Sequence, residues 1–346
     1  MDSVTQALLG AAVGQAGFSH RLGRRAIGYG ALAAFLPDLD MVAGFAGPWA
    51  SLVHHRGVTH SVLVLTLVAP ALGWAVWKLS KRGRMRTWTL LVWLCLLTQP
   101  LLDWCTVYGT QLLAPVSTRR FALDAVGIID PVYSLPLLVS LAVGLIARNR
   151  LVHRRRAVAV AVLVLTTGYL VVGLGLSHWA RTRALRELGH AGFETAAVRA
   201  MPSLLSANLL WRVVARNEEG DIRTGYLSAW RPRPIRFRRF DRPSDPLVDR
   251  ALASERGTLF AWFADGYVSA QVTRSEQGDE VLLGDRRYGM LTEASPGFFR
   301  ARARFTPQGR LIDVERVRGR GQVRIGEELR ATWAAVCTGM PPQTKG

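Results

Sequence analysis

His54-His55-Arg56-Gly57-Val58-Thr59-His60-Ser61-Val62-Leu63-Val64-Leu65-Thr66-Leu67-Val68-Ala69 sets three imidazoles and a guanidinium directly against an apolar run that continues to Trp77. Thr59 or Ser61 is suited to cap a helix that begins there. Ionisable groups at the edge of a hydrocarbon-length segment are expensive, so their default reading is a functional site facing a polar cavity.

Working outward, residues 26–47, 61–77, 87–102, 128–147 and 157–176 are each predominantly apolar. Their lengths approach the roughly 20 residues that cross about 30 Å of hydrocarbon. Residues 2–18 are a weaker sixth candidate. Arg21, Arg24 and Arg25 follow that stretch instead of preceding it, which argues against a cleaved signal peptide. The expected fold is a mainly α membrane bundle of about five to six transmembrane helices, followed by a small β-rich extramembrane domain. The expected division is a helical domain over 1–178, a connector over 179–200 and a β-rich domain over 201–346.

The net charge of +19 invites a nucleic-acid reading, but its distribution does not support one. Of sixteen Lys and Arg up to residue 180, thirteen fall in three loops: Arg21 to Arg25, Lys78 to Arg86, and Arg148 to Arg156. That bias is the positive-inside pattern, which orients spanning segments without any basic-binding ligand. Residues 201–346 carry 24 basic and 17 acidic side chains and no aromatic-basic motif of an RNA binder, so no nucleic-acid partner is expected. Cys95 and Cys105 are ten residues apart on one apolar segment, about 15 Å along a helix and too far for a disulfide.

With the three basic loops in the cytoplasm, the polar residues gather at the outer face. All six carboxylates of the first 180 residues, Asp2, Asp38, Asp40, Asp103, Asp124 and Asp130, fall there together with the histidine cluster. Pro37 is expected to break its helix just before Asp38-Leu39-Asp40, so that both carboxylates can point inward. Gln99 and Asp103 are i and i+4 on one helix face, and Thr106 extends it. Carboxylates with imidazoles suit zinc, manganese or iron, and a carboxylate-rich set also admits magnesium. A site of this kind acidifies water near neutral pH. Arg56 has the planar fork to hold an anionic substrate group, and Asp40 or Asp130 is placed to take protons.

Several motifs occur in order: Met1-Asp2-x-x-Thr5-Gln6-Ala7-Leu8-Leu9-Gly10, Leu36-Pro37-Asp38-Leu39-Asp40, His55-Arg56-Gly57-Val58-Thr59-His60-Ser61 and Pro100-Leu101-Leu102-Asp103. Thr106-x-Tyr108-Gly109-Thr110-Gln111 and Ile128-Ile129-Asp130-Pro131 follow. This set resembles the YdjM-like family of membrane-bound, metal-dependent hydrolases, some of them linked to LexA, over roughly residues 1–180. The resemblance implies metal or catalytic positions at Asp38, Asp40, His55, His60 and Asp103, with Gln99 at the edge of the site. Many relatives carry His where this chain has Gln6 and Gln99. That exchange implies fewer metals, a harder metal or reduced activity.

The expected protein is therefore an inner-membrane, multi-pass hydrolase with a divalent metal, zinc before manganese or magnesium. Its outward-facing site would act on a lipid or other amphiphilic ester or phosphoester, with membrane lipids as partners and the C-terminal domain periplasmic. The competing expectation is a non-catalytic transport, binding or assembly protein with a degenerate hydrolase site. Beyond residue 200, strands are expected at 209–215, 222–229, 258–264, 267–274, 280–287 and 311–317, and a helix around 327–336. Trp211, Trp230 and Trp262 are expected in the core of that domain.

Overall fold

The computed structural model describes residues 1–146, 152–291, 297–318 and 325–340. The chain divides into two compact units, Met1–Gly175 and Leu176–Gly346. In the first, α1 (Ser3–Val13) is capped by Asp2, whose carboxylate accepts the Thr5 N–H at 3.0 Å. It runs into a π-helical turn, Gly14–Phe18, and a short α2 (Ser19–Leu22). Helix α3 (Arg25–Phe35) gives way at Pro37, which has no N–H to continue the α-helical ladder, and the chain proceeds as a 3-10 helix over Leu36–Ala46. Then come α4 (Pro48–His54), a 3-10 turn over Val58–His60, and α5 (Val62–Ser80), whose cap is Ser61. Helices α6 (Met85–Trp104), α7 (Pro131–Ile146) and α8 (Val152–His190) follow.

Small residues let the helices of this unit approach closely. Gly10 of α1 meets Gly30 of α3, and a methyl group on either would run into the other's carbonyl. Helix α6 packs a stripe at helical spacing, Trp88, Leu91, Val92, Cys95 and Leu96, into the core with Ala26, Ala34, Leu65 and Ala69. The same stripe continues to Gln99 and Asp103, both fully buried. Helical periodicity alone thus carries these two polar groups inward.

Four helical stretches are long and apolar enough to cross a bilayer: Arg25–Ala46, Val62–Ser80, Met85–Trp104 and Val152–His190. The expected segment 128–147 is represented by the shorter α7, of 16 residues, and the candidate at 2–18 by the 11-residue α1 and its π-helical turn. Among the described residues, four helical stretches reach spanning length, and α7 is a shorter apolar helix.

In the second unit, the end of α8 supplies Ala180, Ala184 and Leu188 to a core with Val198, Trp211, Val213, Ala215 and Leu227. These lie on an antiparallel sheet of β1 (Ala197–Pro202), β2 (Leu210–Arg216), β3 (Ile222–Ser228) and β4 (Arg238–Phe240), in that order. Helices α9 (Pro246–Ala253) and α10 (Glu255–Phe263) precede a second antiparallel meander. Its strands are β5 (Val268–Thr273), β6 (Asp279–Asp285), β7 (Phe299–Phe305) and β8 (Leu311–Arg318). Helix α11 (Ile325–Thr338) packs Ala335 and Val336 against Leu210 and Leu291.

The expected strand at 258–264 is instead helix α10. Ser254 caps it by accepting the Gly257 N–H at 3.1 Å, Glu255 lies in the first turn, and Gly257, Phe260 and Phe263 are buried at three-residue spacing. Trp211 is fully buried, whereas Trp230 is 68% exposed.

Candidate metal centre

Three turns of the first unit meet around one imidazole. Asp38 comes from the 3-10 helix that Pro37 opens, His60 from the turn that leads into α5, and Asp103 from the end of α6. His60 Nε2 lies 3.5 Å from Asp38 Oδ1 and 3.4 Å from Asp103 Oδ2. One ligand atom from each of the three residues falls within 4.8 Å of the other two, and all three side chains are buried. The far side of the ring is fixed as well. His60 Nδ1 faces Asp40 Oδ2 at 3.3 Å and Thr59 Oγ1 at 3.1 Å. A proton donated from Nδ1 to Asp40 leaves the Nε2 lone pair facing the two other carboxylates. This carboxylate-backed imidazole is how metal-binding histidines are oriented.

The donor set fits a divalent cation. Donors about 2.1 Å from a tetrahedral ion stand about 3.4 Å apart, which is the spacing around His60 Nε2. Buried without hydrogen-bond partners are Asp38 Oδ2, Asp103 Oδ2, Gln6 Oε1 and Gln99 Oε1. Buried oxygens without donors are costly unless a positive charge lies nearby. The same carboxylates compete for a proton on His60. Burial opposes its charge, but hydrogen bonds to Asp103, Asp38 and Asp40 outweigh burial and raise its pKa to about 10, so a cation at Nε2 would displace that proton. One imidazole and two carboxylates suit zinc or manganese, and amide oxygens nearby also admit magnesium.

The remaining residues expected at the site have distinct places. Asp40 accepts from His55 Nδ1 at 2.9 Å, the Arg56 N–H at 2.8 Å and Thr59 Oγ1 at 2.9 Å, and so organises the loop behind His60. His55 is at the rim, its side chain 26% exposed, with its ring edge-on to Tyr108. Arg56 adopts a left-handed backbone at φ 59° and turns its guanidinium inward. It reaches Asp103 Oδ1 at 3.1 Å and donates to Thr106 Oγ1 at 2.8 Å, beside the Met1 amino group, which also contacts Asp103. Gln99 Nε2 lies 3.3 Å from His60 Nε2, and Gln6 Nε2 donates to Asp103 Oδ1 at 3.0 Å.

Asp130 is placed apart from this group at the start of α7. It accepts the Val132 N–H at 2.9 Å and the Tyr169 hydroxyl at 2.7 Å. Sequence reasoning did not find Tyr169, because a single tyrosine in an apolar run carries no local signal. The Thr5–Ser134 hydroxyl pair, 2.6 Å apart, also went unseen. Tyr108 stands in the sequence only as one position of the Thr106–Gln111 motif, yet both Arg56 and Arg120 lie over its ring.

The family model described as YdjM inner membrane protein matches residues 1–180. Uncharacterized protein YfhP of Bacillus subtilis (strain 168) is 28% identical over 110 residues, covering 31% of this chain and 33% of that relative. The match thus spans about a third of the curated relative's length. No solved structure matches the chain.

Proposed function

This chain belongs to the YdjM inner membrane protein family, and on that footing we propose a membrane metal-dependent hydrolase whose ion is held by Asp38, His60 and Asp103. The observation that carries the reading is the orientation of His60, with Nδ1 backed by Asp40 and Nε2 turned to two buried carboxylates. A bound divalent ion supplies Lewis acidity, the chemistry that polarises an ester or phosphoester and acidifies water. The chain's own residues prepare that centre. Asp40 sets the tautomer of His60, Arg56 and Thr106 hold the end of α6, and Pro37 frees the 3-10 segment that presents Asp38.

The proposed substrate is an amphiphile such as a phospholipid or lipid-linked ester, because the centre lies at the ends of apolar, membrane-length helices. In the orientation given by the basic loops it faces the periplasm, as does the C-terminal unit. A non-catalytic binding or assembly role is favoured by one observation: the amides of Gln6 and Gln99, weaker ligands than imidazoles, lie against Asp103 and His60.

Elemental mass spectrometry on detergent-purified protein tests the centre. Wild type and Asp130→Asn are expected to carry stoichiometric metal, and His60→Ala and Asp103→Ala to lose it. Absence of metal from the wild type after reconstitution with zinc, manganese and magnesium would overturn the reading. Metal-loaded protein that turns over neither phospholipid nor lipid ester would select the non-catalytic role.

A further inference from the structure

Helices α5 and α6 cross where Gly73 lies against Thr89, a contact that leaves no room for a side chain at 73. Beside the crossing is a cleft of about 350 Å³ lined by Pro70, Met85, Arg86, Thr89, Leu90 and Trp93. Pro70 gives α5 no N–H to bond at that level. Across from it, Trp93 Nε1 donates to Thr66 Oγ1 at 3.2 Å and ties the two helices together. The lining is mostly apolar, with Thr89 at the helix crossing and Arg86 at one end, in the first turn of α6.

That end is strongly and one-sidedly charged. Lys78, Lys81, Arg82, Arg84 and Arg86 are all exposed, and the sequence holds no carboxylate between residues 41 and 102. Among the described residues, none of the five makes an ion pair. Lys78 Nζ instead lies over the Trp74 ring at 4.2 Å. The positive-inside rule accounts for cations in this loop, but it does not account for an apolar cleft that ends on one of them. Hydrocarbon below and an anion above is the chemistry of one molecule in a membrane. Basic pockets between spanning helices recognise anionic headgroups through it.

We propose that the α5–α6 cleft binds an anionic phospholipid, with an acyl chain along Pro70, Leu90 and Trp93 and the phosphate on Arg86. The site is independent of the metal centre and of any hydrolytic role.

Native mass spectrometry of the full chain, delipidated and titrated in detergent with phosphatidylglycerol or phosphatidylcholine of equal chain length, tests it. Wild type is expected to retain phosphatidylglycerol about fivefold better, the contribution of one interfacial cation. Arg86→Gln is expected to reduce that retention to the phosphatidylcholine level. Leu90→Trp, which fills the cleft, is expected to lower retention of both lipids. Each variant is checked for wild-type helix content and metal content, and Arg86→Gln alters only an exposed side chain should Leu90→Trp fail to fold. Equal retention of the two lipids by wild type, or a preference that survives Arg86→Gln, overturns the proposal. A lipid-free dimer abolished by Leu90→Trp also overturns it, by assigning the cleft to a second copy of the chain.

Discussion

Replacing Asp40 by asparagine keeps the size of the side chain and removes only its charge. In the structure that carboxylate faces four donors: His55 Nδ1 at 2.9 Å, the Arg56 N–H at 2.8 Å, Thr59 Oγ1 at 2.9 Å and His60 Nδ1 at 3.3 Å. Three of them converge on Oδ2, so an amide oxygen there preserves the loop while making each bond neutral rather than charge-assisted. Charge-assisted bonds are about twice as strong as neutral ones. Loss of a carboxylate behind a metal-bound histidine typically weakens metal binding about 10- to 100-fold, or about 1.4–2.7 kcal/mol. Asp40→Asn is therefore expected to bind zinc at full stoichiometry with a Kd raised by that factor, read by competition against a chromophoric chelator in detergent. His60→Ala is expected to lose the stoichiometry itself. An unchanged Kd would refute the role given to Asp40 in orienting His60. Loss of stoichiometry in Asp40→Asn would make Asp40 a direct ligand, as its sequence position beside Asp38 had suggested.

Gly30→Val is expected to lower the thermal unfolding midpoint in detergent, with an overpacking cost on the order of 1–3 kcal/mol, because its Cβ would strike the Gly10 carbonyl. Gly28→Val, with open space around its Cβ position, is the control, and equal effects of the two would refute the helix crossing. In the second unit, Asp285→Ala strands the buried Arg287 guanidinium, now 2.7 Å from Asp285 Oδ2, and is expected to cost about 3–5 kcal/mol. Chemical denaturation followed by Trp fluorescence reads that loss, and recovery in Asp285→Ala/Arg287→Met would confirm its origin. Burial, with Asp103 adding to it, pushes the Cys105 thiol up to about 11. A raised thiol pKa means less thiolate, so at pH 8 only about one part in a thousand reacts, rising about tenfold per pH unit. Exposed Cys337 should alkylate first. Equal labelling of the two at pH 8 by mass spectrometry would refute the half-buried placement of Cys105 beside Asp103.

Much of the first unit was legible because its signals are local. Pro37 marked the end of α3, Ser61 the start of α5, and the i, i+4 spacing of Gln99 and Asp103 their common inward face. The division of labour between the two carboxylates after Pro37 was not legible. Asp38 faces His60 Nε2 and Asp40 faces Nδ1, a distinction set by the 3-10 helix and by how the His55–His60 loop folds over it. Asp130 illustrates the opposite case, since a carboxylate before proline caps a helix whether or not it serves a site. In the second unit, strand β7 was missed although Phe299-Arg300-Ala301-Arg302-Ala303-Arg304-Phe305 alternates strictly. Its small and basic residues have low strand propensity, and the period of two was the better guide. At 258–264 the aromatic content suggested a strand, and the Ser254 cap decided for a helix.

Helix α8 runs without interruption from Val152 to His190, although the two compact units meet at Gly175 and Leu176. Tyr169 serves the first unit through Asp130, while Ala180, Ala184 and Leu188 lie in the hydrophobic core of the second. Truncation inherits a consequence from this. A fragment that starts at 201 would discard most of edge strand β1 and uncover Trp211 and Val213, and would be expected to aggregate. One that starts near Leu176 would keep the helix that roofs the sheet. During synthesis the same continuity has an order to it: the last membrane-length helix must emerge before the first sheet has anything to fold against.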